Sequence, residues 1–153
     1  MIAGVVVVRK LAAAGRLRPV VIVGLGTNGP VSPAQIQQLR AAVGSRWLVL
    51  INVFERRPWE REVNTTLAST ARRYPNVLLV NWHAAIEHHA GLLWSDRIHP
   101  QPSGGRLYAK VVRAVVLAAL RRHHPPRPRP RPRHKPRSRP HAKYPPPGDH
   151  RGQ

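Results

Sequence analysis

Three short apolar runs divide the first 120 residues of the chain. They cover residues 19–24, 47–53 (WLVLINV) and 77–80, and none shows the strict alternation of apolar and polar side chains that marks a half-buried strand. Such runs predict strands that are apolar on both faces, as in a parallel sheet. Apolar residues recur at helical spacing in three further segments, at residues 33–43, 59–73 and about 105–120. Strand and helix therefore alternate, which predicts an α/β layered fold with a parallel sheet and right-handed crossovers.

Local capping signals set some of the helix boundaries. Ser32 followed by Pro33 is typical of an N-cap and a first helical position, and Gly44 is a typical terminator. Residues 4–15 fit either a strand or a helix, and their spacing favours the helix. Two stretches of the later chain predict shorter elements, with one or two helical turns at residues 82–89 and a loop at 94–105.

The composition describes one modest, strongly basic domain. The 153 residues are 42% hydrophobic, enough for a real core, and 26 lysines and arginines against 6 acids give a net charge of +20. This balance favours encounter with polyanions such as nucleic acid, anionic membrane or acidic wall polymer, without specifying a fold or a chemistry. The absence of cysteine excludes disulfides and thiolate chemistry and leaves the compartment undetermined. No apolar run reaches the roughly 18–20 residues that span a bilayer, and the N-terminal charges follow the apolar stretch, the reverse of a signal peptide.

The composition changes completely after residue 121. Residues 121–153 hold 11 of the 26 basic residues, many of them alternating with proline. Such a sequence cannot form a strand ladder or bury a core, so it predicts a disordered, partly polyproline II tail. We therefore expect two parts, a folded domain at 1–121 and a Pro/Arg-rich tail at 122–153 that is able to bind polyanions.

The glycine-rich stretch at residues 24–30 (GLGTNGP) permits two functions. Gly24, Gly26 and Gly29 have the G-x-G-x-x-G spacing of a Rossmann-like dinucleotide site, but the stretch can equally form a tight turn that presents a polar side chain. A dinucleotide site needs a helix that begins within the glycines. Pro30 obstructs such a start, and the capping signal lies beyond it. The dinucleotide interpretation stays as the alternative.

A second candidate site lies just before the last helix, at Asp96 and His99. Their spacing allows the carboxylate to hold the imidazole in one tautomer while the other ring nitrogen acts as a general base. The same pair in a loop is more often an ordinary hydrogen-bonded surface pair. Its position favours a site, because strand ends of an α/β chain gather active-site groups.

Four stretches, in this order and spacing, resemble the SGNH (GDSL-type) hydrolase domain. They are GLGTNGP, VFERRPWEREVNTTL, NVLLVNW and SDRIHPQPSGGRLYA, within a similarity over roughly residues 8–120. The chain is most similar to the extracytoplasmic domain fused to membrane acyltransferases of the acyltransferase-3 family, which O-acetylate cell-surface polysaccharides and peptidoglycan. The resemblance implies a three-layer flavodoxin-like fold. It also implies that His99 is the general base, Asp96 its orienting carboxylate and Asn28 the oxyanion-hole side chain.

The chain departs from this family at the nucleophile. The family's serine lies in a Gly-Asp-Ser block at the end of a first strand, and this sequence contains no Gly-Asp-Ser. We therefore expect an N-terminally truncated domain that lacks its first strand and is inactive alone, because loss of a triad serine costs on the order of a million-fold in turnover. A missing strand also predicts an unpaired sheet edge that invites association.

The expected partners follow from the same resemblance. Cell-surface polysaccharide or peptidoglycan is the expected substrate, with a membrane acyltransferase domain as a further partner and an extracytoplasmic location. Gly29, Trp59 and Trp94 are the candidate substrate contacts, since both tryptophans flank the predicted cleft. No cofactor is expected, and His83, His88 and His89 lack convincing metal-ligand spacing.

Overall fold

The computed structural model of the chain describes residues 2–123, so most of the predicted tail lies outside the described residues. The elements alternate as expected, in the order α1 (Ile2–Ala13), β1 (Val20–Val23), α2 (Pro33–Val43), β2 (Trp47–Ile51), α3 (Glu60–Arg73), β3 (Val77–Val80), α4 (Trp82–Ile86), a 3-10 turn (Ala90–Leu92) and α5 (Pro102–His123). The first segment is the favoured helix rather than a strand. The expected absence of a first strand and the 121/122 boundary stay predictions.

The three strands form one parallel sheet in the order β1-β2-β3. Val21 is paired with Leu48, and Leu48 with Val77. Helices α1, α2 and α3 cover one face of this sheet, and α4 and α5 cover the other. Leu48 and Val49, which are adjacent in β2 and point to opposite faces, are both completely buried. The predicted α/β fold with a parallel sheet is confirmed.

The cap of α2 forms as the sequence predicts. The Ser32 hydroxyl accepts a hydrogen bond from the Gln35 amide at 3.3 Å, and the Gln35 side chain accepts one from the Ser32 amide at 3.0 Å. This reciprocal pair satisfies two amides that the first helical turn leaves without partners. The helix ends at Gly44, whose φ of 65° suits glycine. Because α2 begins at Pro33, the glycines of the 24–30 stretch are not part of a helix N-terminus.

Three sequence-based boundaries need correction. Strand β2 ends at Ile51 rather than residue 53, because the Asn64 side chain bonds the backbone N–H and C=O of Val53 at 2.9 and 2.8 Å. Helix α3 begins at Glu60, one residue after Trp59. Helix α5 begins at Pro102 rather than about Gly105, since proline fits the first helical position and the amide of Gly105 already makes a helical bond to Gln101.

Strand β1 is buried on only one face, contrary to the expectation. Val21 and Val23 face the α1–α3 layer, whereas Ile22 on the opposite face is 47% exposed. Val20 still packs against the α4–α5 layer, which does not extend to Ile22. Within the described residues β1 pairs only with β2, so one of its edges carries no neighbouring strand. None of the helices in this part of the chain is both long and apolar enough to cross a membrane.

Candidate active site

A pocket of about 340 Å³ lies at the carboxyl edge of the sheet. Segments that follow all three strands supply much of its lining, which includes Gly24, Thr27 and Asn28 after β1, Asn52, Val53 and Phe54 after β2, and Trp82 after β3. Residues 98–100 and Tyr108 close the opposite side. Parallel α/β folds commonly bind their ligands at this edge, because the loops that leave the strands converge there.

Asn28 reaches the pocket from a tight turn after β1. The amide of Gly29 donates to the carbonyl of Gly26 at 3.4 Å, so Thr27 and Asn28 occupy the corner of the turn, where Thr27 is half-buried and Asn28 is exposed. Gly26 has a φ of 132°, and a Cβ atom there would lie 2.8 Å from the Val63 side chain. Only glycine meets both demands. Apolar packing therefore holds the base of the turn and leaves the Asn28 side chain at the pocket.

His99 reaches the pocket from a loop that Asp96 organises. One Asp96 oxygen accepts hydrogen bonds from the amides of Ile98 and His99 at 2.9 and 3.0 Å, and the other lies 2.7 Å from Nδ1 of His99. These bonds lower the pKa of the Asp96 carboxyl to about 2, with the Ile98 amide contributing most. The carboxylate favours a proton on Nδ1 of a neutral imidazole, which leaves Nε2 able to accept one.

The structure therefore brings Asn28 and His99 to one pocket, with Asp96 directly behind His99. Their catalytic roles stay predictions. The three candidate substrate contacts fare differently. Gly29 stabilises the turn with a φ of 144° and is outside the pocket lining, and Trp94 is 54% exposed and also outside it.

Trp59 makes its polar contacts inside the protein, and its expected sugar contact stays a prediction. Its indole N–H donates to the carbonyl of Gly26 at 3.1 Å and to Oε1 of Glu55 at 3.0 Å, and its ring packs against the α1–α3 core. The indole thus ties the loop after β2 to the base of the Asn28 turn. Neither its ring nor its N–H belongs to the pocket lining.

Glu55 is an unusual partner for this tie because only 2% of its surface is exposed. Its Oε2 is buried with no hydrogen-bond partner. Burial raises the pKa of the Glu55 carboxyl, an effect that the Trp59 hydrogen bond partly opposes. Burial therefore makes ionisation of Glu55 less favourable than that of an exposed glutamate.

Sequence reasoning missed several polar groups at the pocket, Tyr108 and Asn52 among them. Tyr108 on α5 packs edge-on against Trp82 at 5.1 Å, and its hydroxyl oxygen lies 3.3 Å from the position of a Cβ atom on Gly24. Burial raises the pKa of this phenol and keeps it a donor. Asn52 is buried, with its amide nitrogen 2.8 Å from Oδ1 of Asn81. The position of Asn52 directly after β2 could have indicated a pocket residue, whereas no feature of the sequence pointed to Tyr108.

Thr27 and Tyr108 supply the side-chain hydroxyls of this lining, which includes no serine among the described residues. Within residues 2–123 there is likewise no cluster of three or more His, Asp or Glu side chains arranged to hold a metal ion.

Comparison with known proteins finds relatives for about two thirds of the chain. It is 35% identical over 101 residues to YrhL of Bacillus subtilis, provisionally named a peptidoglycan O-acetyltransferase, and 30% identical over 96 residues to the peptidoglycan O-acetyltransferase OatA of Listeria monocytogenes. These matches cover 66% and 63% of this chain but only 15% of each relative. No protein-family model matches the chain.

A solved structure supports the fold independently. A carbohydrate esterase of family 3 from Talaromyces cellulolyticus superimposes with a TM-score of 0.60 over 75% of this chain and 64% of that one, at 15% sequence identity. At this identity the likeness concerns the fold alone. In fold the chain is therefore an α/β domain like that of the esterase, and about two thirds of its sequence is similar to a segment of bacterial peptidoglycan O-acetyltransferases.

Proposed function

We propose that this chain supplies the general-base and oxyanion-binding half of an acyl-transfer site for acetyl esters of cell-wall polysaccharide. The observation that carries the proposal is the meeting of Asn28 and the Asp96–His99 pair at one pocket. The two groups lie 71 positions apart in the sequence, so local structure alone does not explain why they line the same pocket.

Each residue has a defined role in such a reaction. His99 takes the proton from an attacking hydroxyl through Nε2, and Asp96 stabilises the imidazolium that results. The hydroxyl oxygen then bonds to the acyl carbon, and the Asn28 amide donates to the oxyanion that develops. When the intermediate collapses, the departing oxygen recovers the proton from His99. The proton taken from the attacking hydroxyl is thus returned to the departing oxygen, and the reaction needs no cofactor.

The relatives support the substrate class. OatA and YrhL carry peptidoglycan O-acetyltransferase in their names, and each is similar in sequence to about two thirds of this chain. We propose that this chain likewise acts on peptidoglycan or a similar cell-surface polysaccharide. Its proposed partner is a membrane acyltransferase domain. Because the described lining holds no serine, we propose that the chain alone turns over esters poorly.

Turnover of 4-nitrophenyl acetate by the purified chain tests the catalytic half of the proposal. We expect a rate close to that of free imidazole at the same concentration. A saturable rate well above this level that disappears in His99→Ala would contradict the proposed low activity.

Binding tests the substrate half. Titration with the uncharged tetra-N-acetylchitotetraose and with a peptidoglycan disaccharide–tetrapeptide is expected to shift the NMR signals of the Asn28 side-chain amide and the His99 ring. Asn28→Ala should weaken the pocket response, and Ser69→Ala, at an exposed position of α3 outside the pocket lining, should not. The substrate proposal fails when neither glycan shifts the Asn28 and His99 signals.

The two alternatives, dinucleotide binding and polyanion binding, rest on other features. The start of α2 at Pro33 offers no helix N-terminus at the glycines, so no observation favours the dinucleotide interpretation. Polyanion binding through the tail concerns residues outside the described range and stays a prediction.

A further inference from the structure

A second, larger groove adjoins the candidate active site. It has a volume of about 740 Å³ and runs beside α3, between the loop after β2 and the start of α4. Asn52 and Arg57 line both this groove and the active-site pocket, so the two spaces are adjacent. The groove is therefore within reach of groups attached to a sugar in the pocket.

The groove is rich in uncompensated positive charge. Arg56, Arg57, Arg61 and Arg72 line it, and all four side chains are exposed. Among the described residues, no carboxylate oxygen lies within 4.0 Å of any of these guanidinium groups. We call this space the arginine groove.

The two carboxyl groups that line the arginine groove do little to cancel this charge. Glu60 contacts Nε2 of His83 at 2.8 Å and accepts from the Glu55 amide at 2.9 Å, so its oxygens are already engaged. Glu55 is 98% buried, and its Oε2 has no partner within the protein. Glu55 therefore presents little of its carboxyl surface to a ligand in the groove.

We propose that the arginine groove binds carboxylate groups carried by the glycan strand whose sugar occupies the active-site pocket. The inference rests on the proposed function, because the pocket supplies the sugar site from which the strand extends. Guanidinium groups bind carboxylates through paired N–H donors. The peptide side chains of peptidoglycan present carboxylates close to its sugars, so one substrate satisfies both spaces. Arg57, which lines both, is the expected contact nearest to the reacting sugar.

Calorimetric titration of the full 153-residue chain tests this proposal. The ligand is a peptidoglycan disaccharide–tetrapeptide, compared with the same molecule after amidation of its carboxylates. The variant is Arg57→Gln with Arg61→Gln. The matched control is Arg106→Gln with Arg113→Gln on α5, which removes the same charge from exposed positions outside both spaces. Comparison with this control separates a specific effect of the groove from the nonspecific attraction between the basic chain and an acidic ligand.

We expect the groove variant to bind the acidic ligand roughly five- to twentyfold more weakly than wild type, and the control to change binding less than about twofold. The amidated ligand should bind both variants alike. Equal weakening in groove and control variants would overturn the proposal, as would wild-type affinity for the acidic ligand in the groove variant. A glycerol phosphate polymer whose binding alone depends on Arg57 and Arg61 would also overturn it, in favour of a phosphate site.

These outcomes are separable from failure of the proposed function. When the acidic ligand binds without shifting the Asn28 and His99 signals, the pocket assignment fails. When it shifts those signals equally in wild type and groove variant, the pocket assignment stands and the carboxylate site is wrong.

Discussion

The two loops that meet at the pocket are held in place by opposite means. The Asn28 turn is fixed from below, by the fit of Gly26 against Val63 and by the indole of Trp59. The Asp96–His99 loop is fixed from within, by a single carboxylate that accepts two backbone amides and faces the His99 ring. The first depends on packing with the core, and the second on the ionisation of one exposed side chain. The difference predicts which perturbation disturbs which half of the site.

Replacement of Gly26 should produce the largest loss of stability among the changes that distinguish the two loops. In Gly26→Ala the new methyl group meets Val63 at 2.8 Å and Val53 at 3.2 Å, at a backbone φ of 132°. We expect the free energy of unfolding to fall by about 3 kcal/mol, from strain and overpacking together. Urea denaturation measures the loss.

Gly29→Ala is the control for that substitution. Its φ of 144° brings similar strain, but nothing lies within 4 Å of the added Cβ. We expect a smaller loss of about 1–2 kcal/mol. Equal losses at the two glycines would show that backbone strain alone, rather than contact with the core, fixes the turn.

Replacement of Trp59 should have the next largest effect. Trp59→Phe removes the donor shared by Gly26 and Glu55 and leaves a second buried oxygen of Glu55 without a partner. The expected loss is about 1–2 kcal/mol in the free energy of unfolding. Trp94→Phe is the matched control, since Trp94 is 54% exposed, and should change stability by less than about 0.5 kcal/mol. Similar effects of the two would mean that the indole N–H bonds do not hold the turn.

Acid should produce the smallest and most local effect. The pKa of the Asp96 carboxyl is lowered from 3.8 to about 2, so the folded loop binds its proton more weakly than the unfolded chain does. The contribution of Asp96 is therefore fully present above about pH 4 and is lost as the pH falls toward 2. The Asn28 turn contains no ionisable group, and because the pKa of its neighbour Glu55 is raised by burial, protonation of that carboxyl in acid favours the folded state.

Hydrogen exchange of individual amides checks this expectation. Between pH 5 and pH 2, and after correction for the intrinsic exchange rate, protection of the Ile98 and His99 amides should fall before that of the Gly29 amide. Asp96→Asn at pH 6 should reproduce the loss at Ile98 and His99 without acid. Simultaneous loss at both loops would indicate global unfolding and remove the contrast between them.

Much of the fold could be predicted from local sequence. The run at residues 77–80 matches β3, and Ser32 and Pro33 mark the start of α2, because strand and cap signals act over a few neighbouring residues. The short spacing of Asp96 and His99 likewise allowed their hydrogen bond to be predicted. These features need no knowledge of distant contacts.

The remaining features depend on packing between distant segments. Glu55 belongs to the most polar part of its loop, and only the approach of Trp59 and the core makes it a buried carboxyl. The sequence allows Trp59 to face the cleft, but in the structure its indole N–H donates to the Gly26 carbonyl and to the Glu55 carboxyl. Tyr108 enters the pocket because of how α5 crosses the sheet, which its own neighbours in sequence do not reveal.

The exposed side of β1 has a consequence for handling the protein in solution. Ile22 is exposed on a strand that has one unpaired edge among the described residues, so two copies offer each other a surface for pairing. The net charge of +20 opposes that approach at low ionic strength. Salt shortens the range of this repulsion to about 10 Å at 0.1 M. Ionic strength therefore controls self-association. Charge repulsion keeps copies apart in dilute buffer, and screening by salt allows their β1 edges to pair.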